Sequence, residues 1–194
     1  HDIDYLALSG ALHAIGRAGG PPQIPLHLVG DLGGGALHLA FGVLAAVLHA
    51  RQTGEGQVVD AAILDGVASM LAPIHALMGA GLWRDRRGVN LLDSGAPFYD
   101  VYGTSDGEFV AVGAIEPQFY AQLLAGLGLD ASALPGQWDV SRWGELRDRF
   151  AEAFAARSRE RWAAVFEPTD ACVVPVLTLR EAASHAHARA RGTY

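Results

Sequence analysis

The stretch that most restricts how this chain can fold is "GDLGGGALHLAFGVLAAVLHARQTGEG", residues 30–56. From residue 36 to residue 50 it holds no Asp, Glu, Lys or Arg, and it is rich in Ala and Leu, which favours a helix over a strand. Arg51 and the glycines at 54 and 56 mark its end. The apolar run contains His38 and His49 and falls short of the roughly 18–20 residues a membrane span requires, so it predicts a buried helix. A helix of that kind needs a real core. With 51% apolar and 18% charged residues the chain can supply one, being too apolar and too lightly charged for a disordered segment.

Around this helix the pattern reads as an α/β chain with a Rossmann-like first part. "QVVDAAIL" is a buried strand by composition, and "DGVASMLAPIHALMGAG" a second apolar helix interrupted near Pro73. The glycine- and charge-rich segment 81–97 suits an exposed connection. In "FYDVYGTSDGEFVAVGAI" two alternating runs meet at Asp106-Gly107, a strong hairpin signal. A helix follows Pro117 and ends at Gly126 and Gly128. Two amphipathic stretches lie in "WGELRDRFAEAFAARSRERWAAVFEP", then a short strand "CVVPVL" and a final helix "LREAASHAHARAR". The domains expected are 1–80, part of a large Rossmann-like domain; 81–97, a linker; 98–180, a small α+β domain; and 181–194, a helix returning toward the large domain.

Fourteen basic against 21 acidic residues give a formal charge of −7, the wrong sign for nucleic acid or an anionic membrane surface. The single Cys172 cannot close an intrachain disulfide and sits in an apolar strand, which reads as a buried thiol in a reducing, cytoplasmic setting. His185 and His187 are two apart on one helix and face different ways, so no metal site is expected. Nor is there a Gly-x-Ser-x-Gly elbow.

Three places could carry chemistry. His1 bears an imidazole that titrates near neutrality, although a terminal residue can equally be frayed. Asp31 precedes three glycines that let a ligand approach helix N–H groups, where the dipole favours negative charge; it can equally be a plain N-cap. Glu116 follows an apolar strand and precedes a proline-started helix, as an acid that orients a histidine or as a solvated first-turn glutamate.

Read together, "HDIDYLALSGALHAIGR", "PLHLVGDLGGGALHLAFGVLAAV", "GQVVDAAILDG", "SGAPFYDVYGTSDGEFVAVGAIEPQFY", "DACVVPVLTLREA" and "HARARGTY" resemble the α-methylacyl-CoA racemases of the family III CoA-transferase superfamily. The resemblance implies epimerisation of 2-methyl-branched acyl-CoA thioesters through an enolate. It makes His1 and Asp31 the two proton carriers and Glu116 the partner of the histidine. It places Tyr5, Gly33 and Gly34 at the substrate and Leu92, Tyr99 and Ile115 in the acyl pocket. It implies no cofactor beyond the CoA of the substrate, an interlocked homodimer, and a further N-terminal CoA-binding portion and closing segment without which these residues are inactive. His27 stands where the racemases commonly have asparagine. Two alternatives share the family: a CoA-transferase using Asp31 as nucleophile through an aspartyl-CoA intermediate, and a silent acyl-CoA-binding relative.

Overall fold

The computed structural model describes residues 1–194 and divides into two compact units, 1–95 and 96–194. The first is helical throughout. It comprises α1 (Asp2–Leu8), α2 (Ala11–Ala14), a π-helix (Leu28–Leu37), α3 (His38–Thr53), α4 (Ile63–Met70) and α5 (Ala72–Gly79). Its core is small: Leu6 of α1, Ala11 of α2 and Val67 of α4 are buried together, with Leu12, Val29, Ile63 and Leu71 packed around them. Pro73 lies in the first turn of α5, where its missing N–H costs nothing.

The π-helix packs against α4 at van der Waals limits. A Cβ on Gly66 would lie 1.9 Å from the Gly34 carbonyl oxygen, and one on Gly34 2.6 Å from Val67 Cγ2. Only hydrogen side chains admit this approach.

Four expectations for this unit change. Residues 57–62 form no strand, because no second strand lies within the unit to pair with them, and Val58 is 94% exposed. The glycines do not precede a helix; they lie inside one, since the π-helix runs directly into α3 to give a continuous helix, Leu28–Thr53, of 26 residues. That helix is long and apolar enough to cross a membrane by length and composition alone. The run read as buried is not: α3 has no buried residue, and Phe41 and Leu44 are exposed at 75% and 70%. A helix apolar on every side normally lies in an interior, so this surface is of the kind that other protein or lipid covers.

The fourth change concerns 81–97. Asp93 accepts from the N–H groups of Gly88 and Asn90 at 2.9 and 2.7 Å. The Asn90 amide in turn donates to the carbonyls of Arg84 and Arg86 and accepts from the Arg84 N–H at 2.7 Å. Asn90 is buried. Two short side chains that satisfy this many backbone groups make a knot, not an exposed tether.

The second unit is built on a three-stranded antiparallel sheet in the order β1 (Tyr99–Gly103), β2 (Phe109–Gly113), β3 (Val173–Pro175). The hairpin forms where Asp106-Gly107 predicts it, with Gly107 at φ +78°. Helices α6 (Pro117–Leu127), α7 (Trp143–Ala155) and α8 (Arg159–Phe166) follow as the amphipathic pattern indicates. The sheet's inner residues, Tyr102, Val110, Val112 and Val173, are buried together with Phe150, Phe154, Trp162 and Phe166. Tyr102 stacks on Phe154 at 5.1 Å, and Trp162 meets Phe154 edge-on at 5.3 Å, the geometries aromatic quadrupoles favour. The Trp162 indole N–H donates to the Phe154 carbonyl at 2.8 Å, so the ring is buried without an orphaned donor.

The final helix is two: α9 (Leu179–Ser184) and α10 (Ala186–Arg191), separated by His185 in an extended conformation. Thr178 and Glu181 cap α9 reciprocally. Cys172 is exposed, not buried, because it lies just before β3 with φ +53°.

Arg159 gathers the ends of this unit. Its guanidinium donates to Glu181 Oε1 at 2.5 Å, to the Val176 carbonyl at 2.7 Å and to Glu108 at 3.3 Å. The Arg159 bond first, then the Thr178 contacts, hold the Glu181 carboxyl down at about 2 against an ordinary 4.5. A carboxyl depressed in the folded state contributes stability above its unfolded pKa and loses it as pH falls toward the folded value. Thermal melts between pH 4.5 and 2 are therefore expected to show progressive destabilisation, with a shallower slope in Glu181→Gln. Parallel slopes for the two proteins would contradict the assignment.

Candidate active site

In the first unit the dipeptides His1-Asp2 and Gly30-Asp31 abut. Asp2 Oδ1 accepts from the Asp31 backbone N–H at 2.7 Å, a charge-assisted bond across 29 residues of sequence. The fit depends on Gly30: a Cβ there would lie 2.1 Å from Asp2 Oδ1. Asp31 sits in the first turn of the π-helix with its side chain outside the core, beside the partial positive charge of the helix N-terminus. Short π-helical segments often mark functional sites, and this one spans ten residues. His1 stands at the N-cap of α1, exposed, its Nδ1 3.7 Å from Asp4 Oδ2. The structure thus brings the residue pairs carrying His1 and Asp31 together, through Asp2.

Tyr5, one turn along α1 from His1, is 38% exposed on the same short helix. Gly33 and Gly34 were expected to admit substrate to helix N–H groups. Gly34 is buried against Val67 and Ile63, and a Cβ on Gly33 would lie 3.1 Å from the Leu28 carbonyl. Both serve the packing of the helix, and the N–H of Asp31 is already committed to Asp2. The Asn90–Asp93 knot presents Leu92, 44% exposed.

Glu116 belongs to the second unit and is not brought to His1 within either unit. It is the N-cap of α6 with an extended backbone, φ −72° and ψ 143°, and its side chain makes no capping bond. Gln137 donates to the Ile115 carbonyl at 2.8 Å and to the Ala114 carbonyl at 3.3 Å, fixing the chain immediately before it. Ile115 is half-buried and Tyr99 is 38% exposed. Cys172 lies near enough to feel Glu116: partial desolvation of its sulfur first, then the Glu116 and Asp170 charges, push the thiol of this largely exposed residue up from the ordinary value.

Sequence reading missed three positioning groups. The i,i+3 spacing of His1 and Asp4 is visible to anyone who places a helix start there. Asp2 and Gln137 act on residues 29 and 22 positions away, which no local pattern reveals.

Residues 1–194 match the profile of CoA-transferase family III from end to end. The chain belongs to CoA-transferase family III. It is 48% identical to the α-methylacyl-CoA racemase of Mus musculus and 47% identical to that of Homo sapiens, each over 194 residues. Those alignments cover all of the chain and 51% of either relative, so the chain spans about half the length of the proteins it matches. The fold agrees: a CaiB/BaiF family protein from Brucella suis superposes with a TM-score of 0.75 at 20% identity, over 99% of this chain and 51% of that one. The mixed helix-and-sheet chain is thus a partial family III α/β fold, with its sheet residues confined to the second unit.

Proposed function

We propose that this chain carries the proton-transfer groups of an enzyme that epimerises 2-methyl-branched acyl-CoA thioesters. The observation that carries the reading is the junction of His1-Asp2 with Gly30-Asp31 through the 2.7 Å bond from Asp31 N–H to Asp2. The 48% and 47% identity to two racemases along the whole length of the chain supports it.

Inverting a stereocentre by 1,1-proton transfer needs a base on one face of Cα and an acid on the other. His1 and Asp31 are assigned these roles. One removes the α-proton, the C–H electron pair moves to place negative charge on the thioester oxygen, and the other returns a proton to the opposite face. The positive end of the π-helix, which carries Asp31 and the glycines, is assigned the stabilisation of the developing charge, with the Asp31 N–H itself bonded to Asp2. Asp2 and Asp4 act as positioning residues, the first on the Asp31 backbone, the second on the His1 ring. Glu116 is assigned the orientation of the histidine within an interlocked homodimer, in which the bare apolar surface of α3 becomes covered. CoA enters as part of the substrate, and the proton transfer itself requires no other cofactor.

A CoA-transferase is the second reading, favoured by the family to which the chain belongs and by the exposed carboxylate of Asp31, which could attack a thioester carbonyl. Incubating the protein, at its natural length, with one epimer of a 2-methylacyl-CoA in deuterium oxide separates the two. Deuterium at C2 with loss of optical purity is expected. CoA exchange onto an added free acid without label at C2 would establish the transferase instead, and binding with neither would leave a silent acyl-CoA-binding relative.

A further inference from the structure

A cavity of about 590 Å³ opens at the hairpin end of the second unit. Its walls include Ser105 of the turn between β1 and β2, Arg157 and Ser158 between α7 and α8, and Arg161, Ala164 and Val165 of α8. No carboxylate lines it, although acidic residues outnumber basic ones 21 to 14 in the chain. Arg142, Arg147, Arg149 and Arg159 are each ion-paired within the unit. Arg157 and Arg161 have no acidic partner, and both face this cavity.

The walls are held in place. The Ser105 N–H donates to the Arg157 carbonyl at 2.9 Å, tying the hairpin to the turn beside it. The Arg157 guanidinium lies over the Trp162 ring, 4.8 Å from its centroid, and that ring is buried and anchored through its N–H to the Phe154 carbonyl. Stacking uses the flat face of a guanidinium and leaves its N–H edge available, a fork matched to oxyanions. Ser158 Oγ accepts from the Arg161 N–H at 3.3 Å, so its own proton remains to be donated. The neighbouring carboxylate, Asp106, is engaged by the Arg159 N–H at 3.1 Å and by the Thr104 hydroxyl. We infer that this cavity binds a small phosphomonoester, its phosphate taken by Arg157 and Arg161 and its organic body laid against Ala164 and Val165. Ligand sites commonly enclose roughly 300–1,000 Å³, more than a phosphate alone fills. Two guanidiniums favour the near-dianion of a phosphomonoester over a singly charged carboxylate. The cavity lies at one end of β2 and Glu116 beyond the other, with about 13 Å of strand between them. The ligand is therefore a second molecule and not the acyl-CoA assigned to the catalytic groups.

Calorimetric titration of phenyl phosphate into the protein at its natural length, at constant ionic strength, tests the assignment. Saturable binding of one molecule per chain is expected, with benzoate at least about tenfold weaker because it brings a single charge to two guanidiniums. Arg161→Gln should weaken phenyl phosphate by about tenfold or more, the loss expected when charge-assisted hydrogen bonds are removed. Arg180→Gln removes an exposed arginine outside the cavity and should leave the affinity unchanged. Both side chains are exposed, so both variants are expected to fold. Absence of saturable binding would overturn the assignment. So would equal losses in the two variants, which would show attraction by overall charge alone, or benzoate bound as tightly as phenyl phosphate. Affinity for a 2-methylacyl-CoA should be the same in Arg161→Gln as in the unsubstituted protein. A loss of about tenfold there would make the arginines part of the substrate's own phosphate site and would also overturn the assignment.

Discussion

Gly66→Ala is expected to destabilise the first unit by about 3 kcal/mol or more, at the upper end of the overpacking range. The added methyl would lie 1.9 Å from the Gly34 carbonyl oxygen and 2.7 Å from its carbonyl carbon. Both are backbone atoms, so no side-chain rotation relieves the clash, and α4 and the π-helix must separate. Their separation opens the small core at Val67, the α4 member of the cluster that α1 and α2 complete. Against a total stability of roughly 5–15 kcal/mol this is a large fraction. The second consequence is local, since Asp31 rides on the same helix as Gly34 and loses its register with Asp2. Gly79→Ala is the control: it ends α5 with open space around its added Cβ, so it should be neutral. Urea titrations followed by circular dichroism compare the two. Equal stabilities would show that the close approach of Gly34 and Gly66 is not needed.

How far the fold could be read from the chain depends on where its determinants lie. The hairpin at Asp106-Gly107 and the proline-started helix after Glu116 were legible because a turn residue and a period-2 or period-3.6 pattern sit side by side. Residues 57–62 misled, because "QVVDAAIL" has strand composition while a strand exists only through its neighbours. The apolar run at 36–50 was correctly a helix but not a buried one, since burial belongs to what surrounds a helix and not to its own residues. The glycines at 33–35 signalled close approach, and close approach to α4 is what Gly34 and Gly35 provide, a partner that no local pattern names. The Asn90–Asp93 knot hid within a stretch whose glycine and charge content reads as a tether.

The candidate site was half legible. Asp31 and Glu116 announced themselves as carboxylates at element starts, and the structure keeps both outside the core. Only the fold reveals that Asp2 clamps the Asp31 backbone and that Gly30 must be glycine to allow it. Proximity of this kind, made by one side chain across 29 residues, leaves no periodic trace.

The second large effect follows from that junction. Asp31→Asn keeps the size of the side chain and the backbone bond to Asp2 but removes the proton carrier, so epimerisation is expected to fall by about 1,000-fold, within the range positioned acids and bases contribute. Acyl-CoA binding should be retained, because the amide still fills the same space. The loss need not be symmetric: each carrier serves one face of C2, so removing one should spare the other's exchange.

The most direct measurement is therefore C2 deuterium incorporation from each pure epimer of one 2-methylacyl-CoA, in Asp31→Asn and in a His1→Ala variant, at early times before epimerisation. Each variant is expected to lose exchange from one epimer while retaining exchange from the other, and the two variants to lose opposite epimers. Undiminished exchange from both epimers in both variants would contradict the assignment of His1 and Asp31 as opposed proton carriers.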